Sequence, residues 1–209
     1  MTESKYVLPG ATPHAPSRIS ISNSIKSDDE DLDHTHRLRA LADAVLVGAS
    51  TVELDDPQLT VRRVSGTNPL RVVLDPYRRL ASNHQIFNDG SAPTLVICHQ
   101  DALTPAPGKT EILGLPSTDD TISPQHILSA LWMRGVQRLF IEGGGVTVSR
   151  FLQAGLLDRL HLVVAPLLIG SGRPAIQLPT IDSLQSALQP EVRIEMLGRD
   201  TLFDCAFSS

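Results

Sequence analysis

Short runs of apolar, mostly β-branched residues recur along the chain, each bounded by glycine, proline or aspartate. These runs are Ala44–Gly48, Leu70–Asp75, Thr94–Cys98, Leu139–Glu142 and Leu160–Ala165. Such runs are typical of strands that are buried on both faces of a sheet. We therefore predict that each of them is a strand of one buried sheet.

The segment Asp28–Leu41 has the charge distribution of a helix. It begins with consecutive acidic residues and ends with basic ones, which is the arrangement that the helix dipole favours. Ser27 stands in the position of an N-cap, and Glu30 follows it at the spacing of a capping box. The segment therefore predicts a helix with a solvated acidic first turn.

Two later segments, Pro124–Arg134 and Val146–Ala154, also have helical patterns, and they alternate with the strand segments. This alternation is typical of a parallel sheet. The chain ends differently, because Val192–Met196 alternates polar and apolar residues and Thr201–Phe207 follows after a short turn. The predicted fold class is α/β, with a mostly parallel central sheet, helices on both faces and a C-terminal antiparallel hairpin.

Composition narrows the class of protein. The chain has 209 residues, of which 41% are hydrophobic and 20% charged, so we expect one globular domain over residues 17–209 after an irregular tail over residues 1–16. A net charge of -5 opposes a nucleic-acid scaffold. No apolar run is long enough to cross a membrane, and we expect a soluble, cytoplasmic protein.

The sequence offers little for a metal. Cys98 and Cys205 are too few for a disulfide framework or a four-thiolate zinc site. His34 and His36 are two residues apart, which places them on different faces of a helix. We expect no metal site.

The segment Ile141–Gly145 holds three consecutive glycines between a predicted strand and a predicted helix. Glycines let a ligand approach bare backbone N–H groups, and a helix N-terminus directly behind them suits a pyrophosphate. A plain strand-to-helix turn explains the glycines equally well. The segment is not a Rossmann fingerprint, because Val148 stands where the third glycine would be.

A second polar segment, Val47–Arg62, also follows a predicted strand. It carries a hydroxyl at Thr51, carboxylates at Asp55 and Asp56, and the guanidinium of Arg62. Asp-Asp-Pro is also ordinary turn chemistry, and Arg62 is either a surface residue or a phosphate clamp.

The segments ADAVLVGASTVELDDPQLTVR, PLRVVLD, LFIEGGG and LLDRLHLVVAPLLIGSGRPA resemble the reductase domain of the bifunctional riboflavin-biosynthesis deaminase–reductase. The resemblance runs from about Ser27 to Phe207 and implies a dihydrofolate-reductase-like fold. It also implies an NADPH-dependent oxidoreductase that converts the ribosylamino group of a pyrimidine 5′-phosphate to a ribitylamino group. Hydride transfer of this kind needs mainly alignment and the exclusion of water.

The resemblance implies roles for particular residues. Thr51 and Asp55 would contact the nicotinamide cofactor. Where the reaction requires a proton donor, the candidates are Asp55, Glu142 or a water held by either. The cofactor phosphates would lie against Gly143, Gly144, Gly145, Val146, Thr147, Val148, Ser149 and Arg150. The substrate would contact Arg39, Leu59, Arg62 and Glu142. Arg150 and Arg173 are candidates for a 2′-phosphate.

The chain departs from the family pattern in two places. The zinc deaminase motifs are absent, so a separate deaminase would act upstream. The family opens with a strand that ends in a Ser-x-Asp-Gly-Lys-like motif, and here only Ile19–Lys26 precedes the first helix. We therefore expect this strand and its loop to be missing, shortened or supplied by Lys5–Leu8.

Two other functions stay open on this pattern. One is a non-catalytic homologue that binds a nucleotide but lost hydride transfer with its first strand. The other is dihydrofolate reduction, which would not need Arg39 and Arg62 as phosphate clamps. The family resemblance also implies a homodimer, for which apolar residues of Leu160–Leu168 and the last hairpin are candidates.

Overall fold

A computed structural model describes residues 6–7, 13–14, 17–21, 29–103, 109–168, 170–172 and 174–207. Its strands are β1 (Tyr6–Val7), β2 (Pro13–His14), β3 (Ser17–Ile21), β4 (Ala44–Gly48), β5 (Leu70–Leu74), β6 (Thr94–His99), β7 (Glu111–Leu115), β8 (Ser117–Thr118), β9 (Thr121–Ile122), β10 (Leu139–Glu142), β11 (Arg159–Val164), β12 (Glu191–Leu197) and β13 (Asp200–Ala206). Its α-helices are α1 (Asp29–Leu41), α2 (Ala49–Asp55), α3 (Gln85–Asn88), α4 (Pro124–Trp132) and α5 (Gly145–Gln153).

The main sheet has nine strands in the order β12-β13-β11-β3-β10-β4-β5-β6-β7. From β11 to β7 every neighbouring pair is parallel, whereas β13 is antiparallel to both β11 and β12. The predicted fold class, including the C-terminal antiparallel hairpin, is confirmed.

Consecutive strand residues enter two separate hydrophobic clusters. Leu46 and Ile141 pack on one face of the sheet with residues of α4 and α5. Val45 and Phe140 pack on the other face with residues of α1, α2 and α3. Side chains alternate across a strand, so helices on both faces bury both sets. This double burial explains why the strands read as unbroken apolar runs.

The first strand is present, and the expectation that it is missing or supplied by Lys5–Leu8 was wrong, whereas the expected shortening of its loop stays a prediction. Ser17–Ile21 forms β3 in the middle of the sheet, between β10 and β11. Its sequence alternates polar and apolar residues, a pattern that does not indicate a central strand. Tyr6–Val7 instead pairs with Pro13–His14 in a separate ribbon, inside the tail expected to be irregular. Residues 22–28, which include the Ser27 cap and the end of Ile19–Lys26, lie outside the described residues.

Several elements were not predicted from the sequence. The segment expected as a polar loop after β4 begins with helix α2. Strand β7 adds an edge beside β6, and β8 pairs with β9. Among the residues described, no helix has both the length and the hydropathy needed to cross a membrane.

Candidate active site

Two strand-to-helix connections meet at the carboxyl edge of the parallel sheet. One leads from β10 through Gly143 and Gly144 into α5, and the other leads from β4 into α2, which carries Thr51. A Cβ on Gly143 would lie 3.0 Å from Cγ2 of Thr51, and a Cβ on Gly144 would lie 3.2 Å from its Oγ1. Both glycines also have positive φ, at 81° and 36°. The predicted cofactor residues Thr51, Gly143 and Gly144 are therefore brought together, and glycine is required at both positions.

Helix α5 opens with backbone N–H groups that have no partner within the helix. The Gly144 carbonyl accepts hydrogen bonds from the amides of Thr147 and Val148, at 3.0 and 3.3 Å. The amides of Gly145 and Val146 precede these and have no acceptor inside the helix. Together with the helix dipole, they form a cradle that suits an anion. We use the name glycine cradle for residues 143–146.

Side chains of the predicted phosphate-binding segment divide into two groups. Val148 is fully buried in the core, and the Ser149 hydroxyl accepts a hydrogen bond of 2.8 Å from the amide of Gln177. Val146 and Arg150 are exposed. A ligand at the cradle would thus meet backbone amides and, among the side chains of α5, those of Val146 and Arg150. The other arginine named from the sequence, Arg173, lies outside the described residues.

Arg39, which is buried, and Glu142, which is half-buried, form a bidentate pair. Arg39 Nε donates to Glu142 Oε2 at 2.7 Å, and Arg39 Nη2 donates to Glu142 Oε1. The remaining nitrogen, Nη1, donates to the Thr60 carbonyl at 3.0 Å. Helix α1 supplies the arginine in its last turn and β10 supplies the glutamate at its carboxyl end. Both oxygens of the Glu142 carboxylate therefore accept from one guanidinium.

The segment between α2 and β5 carries the second arginine. Arg62 Nη1 donates to Gln58 Oε1 at 2.7 Å and to Thr60 Oγ1 at 2.8 Å. Burial, and then the positive charge of Arg39, lower the pKa of Arg62 from its ordinary value. Arg39 and Arg62 therefore flank Thr60, and the exposed guanidinium of Arg62 is the one available to an anion.

His36 supports this segment from α1. Its Nδ1 accepts a hydrogen bond of 3.0 Å from the backbone N–H of Arg62. Burial, followed by the charges of Arg39 and Arg62, lowers the pKa of His36 to about 4. The ring is therefore neutral at pH 7, as an acceptor must be. Sequence reasoning considered His36 only as half of a metal pair and missed this role.

Leu59 and Asp55 occupy different surroundings. Leu59 has a positive φ of 53° and a fully buried side chain in the core, so a ligand could reach only its backbone. Asp55 is the last residue of α2 and is exposed. Asp56, which follows, accepts from the Gln85 amide at 2.9 Å and so ties the end of α2 to α3.

A family signature and several known proteins match most of this sequence. The sequence signature of the RibD C-terminal domain family matches residues 12–203. The 2,5-diamino-6-ribosylamino-4(3H)-pyrimidinone 5′-phosphate reductase of Methanothermobacter thermautotrophicus is 32% identical over 188 residues, which cover 85% of this chain and 86% of that protein. The protein of the same name from Archaeoglobus fulgidus is 35% identical over 187 residues, covering 83% and 82%.

Solved structures share the fold. A diaminohydroxyphosphoribosylaminopyrimidine deaminase/5-amino-6-(5-phosphoribosylamino)uracil reductase from Thermotoga maritima superposes with a TM-score of 0.79 at 24% identity, covering 93% of this chain and 57% of that one. The riboflavin biosynthesis reductase Rib7 of Saccharomyces cerevisiae gives a TM-score of 0.77 at 16% identity, covering 93% and 90%.

Proposed function

Because the chain belongs to the RibD C-terminal domain family, we propose that it is a reductase that converts a ribosylamino-pyrimidine 5′-phosphate to its ribitylamino form with a nicotinamide cofactor. One observation carries the proposal. The glycine cradle directly follows Glu142, whose carboxylate holds Arg39 beside the segment of Arg62. An anion-binding backbone and a cationic substrate side therefore adjoin at one edge of the sheet, where open α/β sheets bind ligands.

The cofactor would lie with its pyrophosphate on the glycine cradle and its nicotinamide toward Thr51 and Asp55. When bound, it supplies the hydride that the reduction needs. Reduction opens the ribose ring, because C1′ takes the hydride and the ring oxygen takes a proton. Glu142 is engaged by Arg39 and would accept hydrogen bonds from the substrate. We assign the proton to water that enters at the exposed end of α2, beside Asp55.

The substrate phosphate would bind Arg62. All three guanidinium nitrogens of Arg39 are already used within the protein, which leaves Arg62 as the freer cation of the two. Arg39 then acts by fixing Glu142 and the Thr60 carbonyl. Leu59 would contribute its backbone to the substrate side.

NADPH rather than NADH is favoured by a cation just after β5, on the same edge as the cradle. Arg79 lies over the ring of Tyr77, 5.3 Å from its centroid, and the ring of His99 packs edge-on against Tyr77 at 4.8 Å. The Asp75 carboxylate accepts the amide of Arg79 at 3.1 Å and fixes this turn. Tyr77 and Arg79 would hold the adenosine end and its 2′-phosphate, with Arg150 as the alternative cation.

Two phosphorylated pyrimidines are candidate substrates. The relatives from Methanothermobacter and Archaeoglobus are named for a substrate that keeps its 2-amino group, and the Thermotoga protein is named for a deaminase and a uracil reductase. A separate deaminase would act before this enzyme on the uracil route and after it on the diamino route. Turnover measured with both compounds decides between them.

The first experiment is a calorimetric titration with NADPH and NADH, followed by turnover of both phosphorylated pyrimidines and of dihydrofolate. Gly144→Asp puts a side chain and a negative charge into the cradle and should abolish cofactor binding. Gly155→Asp is the matched control, because Gly155 also has a positive φ but lies past the far end of α5 with open space around it. Binding without turnover would leave a nucleotide-binding homologue, and reduction of dihydrofolate alone would replace the proposed substrate.

A further inference from the structure

Arg71 is a fully buried arginine at the second position of β5, whose other residues are apolar. Its Nε donates to Thr94 Oγ1 at 3.0 Å, and Nη2 donates to the Ala92 carbonyl at 2.8 Å. Its Nη1 donates to Asp89 Oδ2 at 2.8 Å and to the Gln58 carbonyl at 3.2 Å. Burying a guanidinium is costly unless such contacts compensate for the lost water.

The contact with Gln58 differs from the others. Asp89, Ala92 and Thr94 belong to the stretch around the start of β6, whereas Gln58 belongs to the segment that leads from α2 to Arg62. The Gln58 side chain in turn accepts from Arg62 Nη1 at 2.7 Å. A continuous chain of hydrogen bonds therefore joins the buried Arg71 to the exposed Arg62 through one residue.

The segment from Asp56 to Arg62 needs such support. Asp56 and Leu59 have positive φ values of 39° and 53°, which side-chain-bearing residues rarely adopt. The backbone is held at Thr60 by Arg39 and at Arg62 by His36. At Gln58, between the two strained residues, the backbone is held by Arg71.

We propose that Arg71 is a positioning residue, which fixes the Asp56–Arg62 segment through the Gln58 carbonyl and so sets where Arg62 meets the phosphate of the substrate. This role toward the substrate rests on the function proposed above. Arg71 touches neither substrate nor cofactor. It orients the group that binds the phosphate, and it does so from the core of the sheet.

The test compares Arg71→Lys with Thr94→Val. A lysine at position 71 keeps the positive charge beside Asp89, but its single nitrogen cannot also serve Gln58, Ala92 and Thr94. The valine at position 94 removes a different partner of Arg71 and leaves the Gln58 contact in place. Both variants perturb the same buried site. A difference between them in hydrogen exchange or in KM therefore reports on the Asp56–Arg62 segment rather than on a loss of stability that both share.

Hydrogen exchange of the full-length protein without ligands gives the first readout. The amides of Val61 and Arg62 are hydrogen-bonded to Asn68 and His36. In Arg71→Lys these amides should exchange about tenfold faster than in the wild type, whereas Thr94→Val should leave their exchange unchanged. Equal exchange at these amides in the two variants would overturn the proposal.

Steady-state kinetics gives the second readout. With the phosphorylated pyrimidine, Arg71→Lys should raise KM about tenfold with kcat changed less than about twofold. With the dephosphorylated ribonucleoside its KM should equal that of the wild type, because no phosphate reaches Arg62. A parallel loss on both compounds would contradict a positioning role. If Arg71→Lys does not fold, the double variant Arg71→Met/Asp89→Asn, which removes both buried charges together with the Gln58 contact, should give the same selective rise in KM.

The two readouts distinguish a failure of the proposed function from a failure of the role proposed for Arg71. A wild type that turns over neither phosphorylated pyrimidine would overturn the proposed function and, with it, the role of Arg71 toward substrate. The exchange comparison does not depend on turnover and decides by itself whether Arg71 holds the segment. Normal wild-type turnover with an unchanged KM in Arg71→Lys would overturn the positioning role alone.

Discussion

The pair of Arg39 and Glu142 is the most consequential contact between two side chains in the described site. Glu142→Gln removes the charge from one partner and leaves a buried guanidinium with a weaker acceptor. We expect the free energy of unfolding to fall by about 1–3 kcal/mol, measured by chemical denaturation. The reductase activity should fall as well, because Arg39 would no longer fix the residue that faces the substrate.

A surface pair provides the control for this variant. Glu111 accepts from Arg134 at 2.9 Å, but its side chain is 62% exposed. Glu111→Gln should therefore change the free energy of unfolding by no more than about 0.5 kcal/mol. Equal losses in Glu142→Gln and Glu111→Gln would mean that the buried pair contributes no more than an exposed one.

His36 makes stability depend on pH. Its pKa is about 4 in the folded protein, below the ordinary value of 6.5, because burial and two arginines disfavour the charged ring. Between these two values the unfolded chain binds the proton more readily than the folded one. The stability that the neutral His36 ring contributes is therefore fully present above about pH 6.5. It is lost as the pH falls toward 4, and the loss is on the order of 1 kcal/mol after allowance for solvent screening.

Replacing the ring isolates this contribution. The amide oxygen of His36→Asn can still accept the Arg62 N–H, but the side chain does not titrate, so the variant should lose less stability between pH 6.5 and 4 than the wild type. Denaturation curves across this range give the comparison. The exposed His126 is the control, and His126→Asn should keep the wild-type dependence. The same dependence in all three proteins would show that His36 does not cause it.

Elements differed in how far the sequence predicted them. Strands β4, β5, β6 and β10 were predicted because they are buried on both faces and read as apolar runs. Strand β3 alternates polar and apolar residues, and its central place follows from pairing with β10 and β11, which come more than a hundred residues later. Local pattern carries no information on such pairing.

The site shows the same limit. The family resemblance singled out Arg39 and Glu142 as substrate residues, but their contact joins positions 103 apart in sequence, and only the fold reveals it. Arg71 did leave a local signal, as one arginine within an apolar strand. A charge in such a run indicates a buried partner, but not which one.

The start of α5 is held by close packing against the segment before β12. A Cβ on Gly145 would lie 2.6 Å from the Ala175 carbonyl oxygen, which is closer than real contacts allow. Gly145→Ala should therefore push residues 174–175 away from the helix and lower the free energy of unfolding by about 1–3 kcal/mol. Cofactor affinity, measured by calorimetric titration, should fall with it, because Gly145 is part of the cradle. Val146→Ala, one residue on at an exposed side chain, should alter stability by no more than about 0.5 kcal/mol.

At the scale of the whole molecule, the two ends of the main sheet differ. At one end, β12 exposes residues 191–196 and, among the strands that the structure describes, has a neighbour only on one side. Its apolar side chains alternate with charged ones, so that Val192, Ile194 and Met196 share one face. Further exposed apolar residues lie along the preceding chain, namely Val164, Leu167, Leu168, Leu184 and Leu188. Exposed apolar side chains beside the edge strand of a sheet are typical of a protein–protein interface.

We propose that this surface pairs with that of a second copy to form a homodimer. Ile194 is 64% exposed at the middle of the apolar face, and Ile194→Lys would place a charge in the proposed interface. Sedimentation velocity should then show a dimer for the wild type and a monomer for the variant. Glu195→Lys introduces the same side chain on the opposite face of β12 and should remain dimeric. A monomeric wild type would exclude the homodimer, and two dimeric variants would place its interface elsewhere. Residues 174–175 pack against the start of α5 and precede β12 in the chain. We therefore also expect Ile194→Lys to bind the cofactor more weakly than Glu195→Lys does.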